Sequence, residues 1–123
     1  MRPELIINPF DLLWAAGVLE GEGSFYASES PSGKKSCKVG VEMTDLDVVR
    51  RLATILGTRV NGPYLRKTNV NPNAKPTFST KVAARAEVRR VCEIFYPMMG
   101  KRRRQQISKV LDIIASWEPA GED

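Results

Sequence analysis

The sequence contains no histidine, which removes imidazole bases, Ser-His-Asp hydrolysis and His-bound zinc from the possible chemistry. It has only two cysteines, Cys37 and Cys92, without neighbours at metal-ligand spacing. They read as reduced thiols, Cys92 as small core filler. No apolar run approaches the roughly 18 to 20 residues a membrane span requires. The N-terminal MRPELIINPF has too short an apolar core for a signal peptide, so a cytoplasmic, non-secreted protein with no membrane partner is expected. No internal repeat is visible. Acidic residues are the scarcer charge, 14 Asp and Glu against 19 Lys and Arg, and a net charge of +5 with a pI near 9.5 favours a polyanionic partner. Site chemistry must therefore come from carboxylates, lysine, arginine and water.

What is present is ordinary globular material, 42% hydrophobic and 27% charged, and residues 1–123 are expected to form one domain that buries roughly two-thirds of its unfolded surface. The stretch Trp14 to Phe25, WAAGVLEGEGSF, is the most informative. Asn8 is placed to cap a helix, Pro9 suits its first position, and Asp11 puts negative charge in its first turn. Leu13, Gly17 and Gly21 fall four apart on one face. Glycines at that spacing cost helix propensity but let another backbone come close. The helix runs out at Glu20 and Glu22, where its carbonyls already present partial negative charge. Spacing alone leaves two readings open: solvated carboxylates at a helix end, with Gly21 and Gly23 only turning the chain, or a site for a divalent cation.

Further along, Ser24 to Ser28 and Ser36 to Met43 read as two strands joined by a turn at Ser30 to Lys35, with Val39, Val41 and Met43 on one face and Lys38 and Glu42 on the other. Thr44 and Asp47 suggest a capping box opening a second helix, with Val48, Val49, Leu52, Ile55 and Leu56 apolar and Gly57 as its stop. Arg50 and Arg51 read as its solvated face. A strand is expected from Arg59 to Lys67, interrupted at Asn61-Gly62-Pro63, with Tyr64, Arg66 and Thr68 on one face; Asn69 to Pro76 is a loop. Thr77 to Val82 returns with Thr77, Ser79 and Lys81 outward. A third helix spans Ala83 to Tyr96, and a last one starts at Lys101 after Gly100. Its opening run of four cations, Lys101 to Arg104, is disfavoured by the helix dipole and reads either as a functional surface or as a solvated end.

The segment Ala15 to Gly23, AAGVLEGEG, resembles the signature of the LAGLIDADG homing endonucleases, with glutamate in place of aspartate at both acidic positions, Glu20 and Glu22. The resemblance implies an α+β fold, a single-motif αββαββα core with a C-terminal helix and an antiparallel sheet serving as a DNA-binding saddle. It also implies a homodimer with Leu13, Gly17 and Gly21 in the seam. The implied function is site-specific hydrolysis of both strands of a long, near-palindromic double-stranded DNA target, with no small-molecule substrate. The expected cofactor is Mg²⁺, with Mn²⁺ or Ca²⁺ able to substitute for binding. Glu22 would be the principal ligand, Glu20 a weaker one, and the Gly21 carbonyl could face the metal. By the family's pattern a basic residue near the scissile phosphate falls at Lys101, Arg102 or Arg103, with Lys101 the first choice. The polar, solvent-positioning residue falls near Asp45, with Glu42 close by. Strand parity makes Ser28, Ser30, Ser36, Lys38, Glu42, Arg66, Thr68, Thr77 and Ser79 candidate DNA contacts, and Lys34, Lys35 and Lys75 phosphate contacts. An alternative keeps the fold without catalysis, as a DNA-binding regulator or RNA-splicing maturase.

Overall fold

The computed structural model describes residues 8–65 and 72–118. The elements follow in the order α1 (Pro9–Glu22), β1 (Ser24–Glu29), β2 (Lys35–Met43), α2 (Leu46–Leu56), β3 (Asn61–Tyr64), β4 (Thr77–Val82), α3 (Arg85–Phe95), a single 3₁₀ turn (Tyr96–Met98) and α4 (Lys101–Ser116). This is a mixed α+β fold with a four-stranded antiparallel sheet in the order β1-β2-β4-β3.

The register divides the sheet into two chemically distinct faces. Phe25 opposite Val39, Ala27 opposite Cys37, Val39 opposite Val82 and Val41 opposite Thr80 form the inner face. It packs with Leu19, Leu52, Leu56, Val88, Phe95, Ile107 and Ile114 of the helices into one core. Thr80 is the polar residue in that layer, and its hydroxyl is satisfied by the Arg59 carbonyl at 2.9 Å and by Thr58 Oγ1 at 2.5 Å. On the outer face, Ser24, Tyr26 and Ser28 lie opposite Gly40, Lys38 and Ser36, while Gly40 and Glu42 lie opposite Lys81 and Ser79. The parity expected for Ser28, Ser36, Lys38, Glu42, Thr77 and Ser79 therefore holds. Gly40 has a steric cause: a Cβ there would stand 2.3 Å from the Thr80 carbonyl oxygen.

The start of α1 follows its expectation, with Asn8 Oδ1 accepting the Asp11 amide at 3.0 Å and Pro9 leading the helix. Ala15, Ala16 and Leu19 point into the core. On the other side Phe10 is 80% and Leu13 63% exposed, and space around both Gly17 and Gly21 is open. A helix apolar on both sides is one whose second side also expects a partner.

Three local expectations are corrected. The cap of α2 is Asp45 rather than Thr44, because β2 extends to Met43 and leaves Thr44 one residue outside the helix. The residue three beyond Asp45 is Val48, which cannot reciprocate, so no capping box forms; Val48 and Val49 donate instead to the Asp45 carbonyl, both at 3.1 Å. The interruption expected at Asn61-Gly62-Pro63 is itself strand β3, entered with a cis Gly62–Pro63 bond and a register shift against β4. Arg51 is not simply solvated: it bonds Asp11 Oδ1 at 3.1 Å and stacks 4.2 Å over Trp14, tying α2 to α1. Arg66 and Thr68 lie outside the described residues.

Candidate active site

The chain leaves α1 directly into β1, so the C-terminal carboxylates of the helix stand beside the outer face of the sheet. Their environments differ. The Glu20 carboxylate accepts the Gly100 amide at 2.6 Å, capping the N-terminus of α4 from a distance of eighty residues in sequence. The Glu20 carbonyl accepts Arg103 Nε at 2.9 Å. Glu20 is thus a joint between α1 and α4. Glu22 is exposed and lines a groove of about 470 Å³ with Lys38, Glu42, Tyr64, Ser79 and Lys81.

This groove joins the acidic end of the motif to the outer face of the sheet. Two carboxylates, Glu22 and Glu42, and two lysines, Lys38 and Lys81, line it together with Gly40. Glu42 is oriented by the Thr77 hydroxyl, which donates to Oε2 at 2.6 Å. Carboxylate and hydroxyl oxygens without nitrogen or sulfur form a donor set suited to a hard divalent ion. Among the described residues no cluster of three or more His, Cys, Asp or Glu side chains forms.

The other expected site residues distribute unevenly. Asp45 is exposed at the start of α2 and does not line the Glu22 groove, which Glu42 does line. Lys101 and Arg102 are exposed on α4, and Lys101 lines a different groove, against Tyr96 and Arg104. Arg103 is buried, 8% exposed, with Nη1 on Gln106 Oε1 at 2.9 Å. Of the three basic candidates it is the one locked to the motif helix. Arg104 turns back onto the carbonyls of Tyr96 and Pro97 at 3.3 and 3.2 Å. The disfavoured cation run is offset in part: the Glu20 carboxylate caps the helix start, and two of the arginines donate to carbonyls at the ends of other helices.

Among the expected DNA contacts, Lys34, Lys35 and Lys75 are exposed. The Ser30 hydroxyl lies in the turn, accepting the Lys34 amide at 3.1 Å and meeting Ser32 at 2.8 Å. Two outer-face residues were not singled out from the sequence, Ser24 and Tyr26. The signal was available, since Tyr26 shares the parity of Ser24 and Ser28. Its hydroxyl meets Ser28 Oγ at 2.5 Å. Hydrogen bonds from Ser28 and then Ser36 hold its pKa below the usual 10, against an opposing effect of burial and with a smaller lowering by Lys38.

No protein-family profile and no curated protein matches the chain. Solved structures do. The chain superposes on the intron-encoded homing endonuclease I-CeuI, complexed with DNA, with a TM-score of 0.67 and 14% identity, covering 94% of this chain and 58% of that one. It superposes on I-CvuI, in complex with its target in the presence of calcium, with a TM-score of 0.63 and 20% identity, covering 88% of this chain and 69% of that one. The chain has the LAGLIDADG homing endonuclease fold. A LAGLIDADG meganuclease, I-CpaMI bound to uncleaved DNA, superposes with a TM-score of 0.60 and 15% identity; 85% of this chain covers 38% of it. The chain thus spans a little over half of I-CeuI and well under half of I-CpaMI. Within the LAGLIDADG fold, the motif residues Ala15 to Gly23 close α1, and the four-stranded sheet presents its polar face beside Glu22.

Proposed function

We propose that this protein is a metal-dependent endonuclease acting on double-stranded DNA as a homodimer. The observation that carries the reading is the groove in which Glu22, at the end of the motif helix, meets Lys38, Glu42, Ser79 and Lys81 of the outer sheet face. A chain that only bound DNA would gain nothing from two carboxylates in its groove, since both repel phosphate. Dimerisation is supported by the exposed stripe of Phe10, Leu13 and Gly17 on α1, which suits an isologous helix pair. Such a pair would bring two copies of Glu22 toward one axis, where their like charge favours a shared cation.

In this mechanism Glu22 and its partner copy would hold the divalent ion, Mg²⁺, together with the Gly21 carbonyl. The ion supplies Lewis-acid activation of water and of the phosphodiester. Glu42, fixed by Thr77, accepts a hydrogen bond from the attacking water and orients it. Lys38 and Lys81 hold the phosphate backbone along the groove. Of the basic candidates, Arg103 stabilises charge next to the motif and moves no proton, because a guanidinium stays charged; Lys101 and Arg102 contribute long-range attraction. Ser28, Ser36, Thr77 and Ser79 face the bases, and Lys34, Lys35 and Lys75 the phosphates.

The test is cutting of a randomised duplex library by purified protein with Mg²⁺ or with EDTA, followed by sequencing of the ends. Cuts at a recurring, near-palindromic sequence in Mg²⁺ alone are expected. Tight duplex binding without cuts in any divalent ion would contradict the enzyme reading and leave a regulator.

A further inference from the structure

Arg103 poses a problem of charge. The residue is more than nine-tenths buried, yet the two acceptors that hold its guanidinium, the Glu20 carbonyl and the Gln106 side-chain amide, are both neutral. Among the described residues no carboxylate forms an ion pair with it. A buried cation without a counter-charge is costly, and an arginine cannot escape the cost by losing its proton.

The same guanidinium lines a notch of about 330 Å³ between the free edge of β1 and α4, together with Ser24, Tyr26, Gln106 and Lys109. The notch is walled by Phe25, Ala27, Val110 and Ile113, which lower the local dielectric and strengthen its electrostatics. It contains two cations, two hydroxyls and an amide, and no acid. Lys109 is exposed and lines both this notch and the groove along Tyr96, Lys101 and Arg104. Helix α4 as a whole carries five cations, Lys101, Arg102, Arg103, Arg104 and Lys109, against the single acid Asp112, a net +4 of the chain's +5.

The geometry points to a phosphate pocket at this edge: Arg103 at its floor, Lys109 at its rim and the Ser24 and Tyr26 hydroxyls on its sheet side would clamp one backbone phosphate of the bound duplex, beyond the outer face itself. The occupant rests on the DNA reading above. Ser24 and Tyr26 belong to the outer face by register, so the notch adjoins that face at the β1 edge. A phosphate matches the donor set, since its oxygens accept from guanidinium, ammonium and hydroxyl donors at once. A phenol that readily polarises its O–H toward an anion suits the same task.

The test is equilibrium binding of a labelled target duplex over a range of salt concentration, without Mg²⁺, for the wild type, Lys109→Gln and Lys109→Arg. Lys109→Gln is expected to lower the magnitude of the salt slope by about 1, the signature of one lost phosphate contact. It should weaken binding equally on target and non-target duplexes, and Lys109→Arg should restore both. An unchanged slope in Lys109→Gln, with wild-type protein binding normally, would overturn the pocket alone. A wild type that binds no duplex would overturn the DNA reading and this occupant with it.

Discussion

Glu20 and Glu22 stand two residues apart and perform different work. Glu20 holds the Gly100 amide, so Glu20→Ala is expected to destabilise the fold by about 1 kcal/mol, as loss of a helix cap does, and to lower Tm by about 4 °C for a chain of this size. Calorimetry checks this. A Glu20→Gln variant keeps an acceptor and should lose less. The cysteines give a second residue-scale test. Burial, with smaller contributions from Cys37 and Glu93, pushes the Cys92 thiol from 9 up to about 12. Burial also raises Cys37, partly offset by Arg85. Because the folded value is raised, unfolded chains lose their thiol protons first, and stability is fully present below pH 9 and declines between pH 9 and 12. Denaturant midpoints should fall across that window, less so in Cys92→Ala. Thiol-reactive dye should label neither cysteine of the native protein at pH 7, and both after unfolding.

At the scale of elements, α1 makes the sharpest prediction, because its two stabilities change in opposite directions. Alanine at Gly17 meets open space within the protomer and should raise helix stability by about 0.5 to 1 kcal/mol. In a close helix pair the same methyl group separates the backbones, so dimer affinity should fall. Sedimentation equilibrium beside thermal unfolding of dilute protein separates the two effects; a variant that stabilises both states would place Gly17 outside the interface. The helices were legible in the sequence because their apolar residues recur at helical spacing, as Val88, Val91, Cys92 and Phe95 do in α3. The hairpins were legible through alternation. β3 was not, since a Gly-Pro pair reads as a turn and only the pairing of Asn61 with Ser79 and Tyr64 with Thr77 makes it a strand. The motif made Glu22 visible. The approach of Glu42 to Glu22, and the burial of Arg103 against Glu20, depend on contacts between elements far apart in the chain, which local pattern does not carry.

For the whole molecule, charge is divided between two surfaces: a sheet face where Glu22 and Glu42 interrupt the lysines, and a helix α4 that holds most of the net positive charge. Among the described residues no helix is long and apolar enough to cross a membrane. The open face of α1 predicts a particle of twice the 13.7 kDa chain in solution, with its Glu22 side chains near the two-fold axis. The measurement that bears most directly on this account is Mg²⁺-dependent cutting of the selected duplex by wild type and Glu22→Gln at matched protein-to-DNA occupancy. The account predicts that Glu22→Gln binds the duplex and stays dimeric but loses more than about 100-fold in cutting rate, beyond the cost of losing an outer-shell partner of a metal. Undiminished cutting by Glu22→Gln would contradict it.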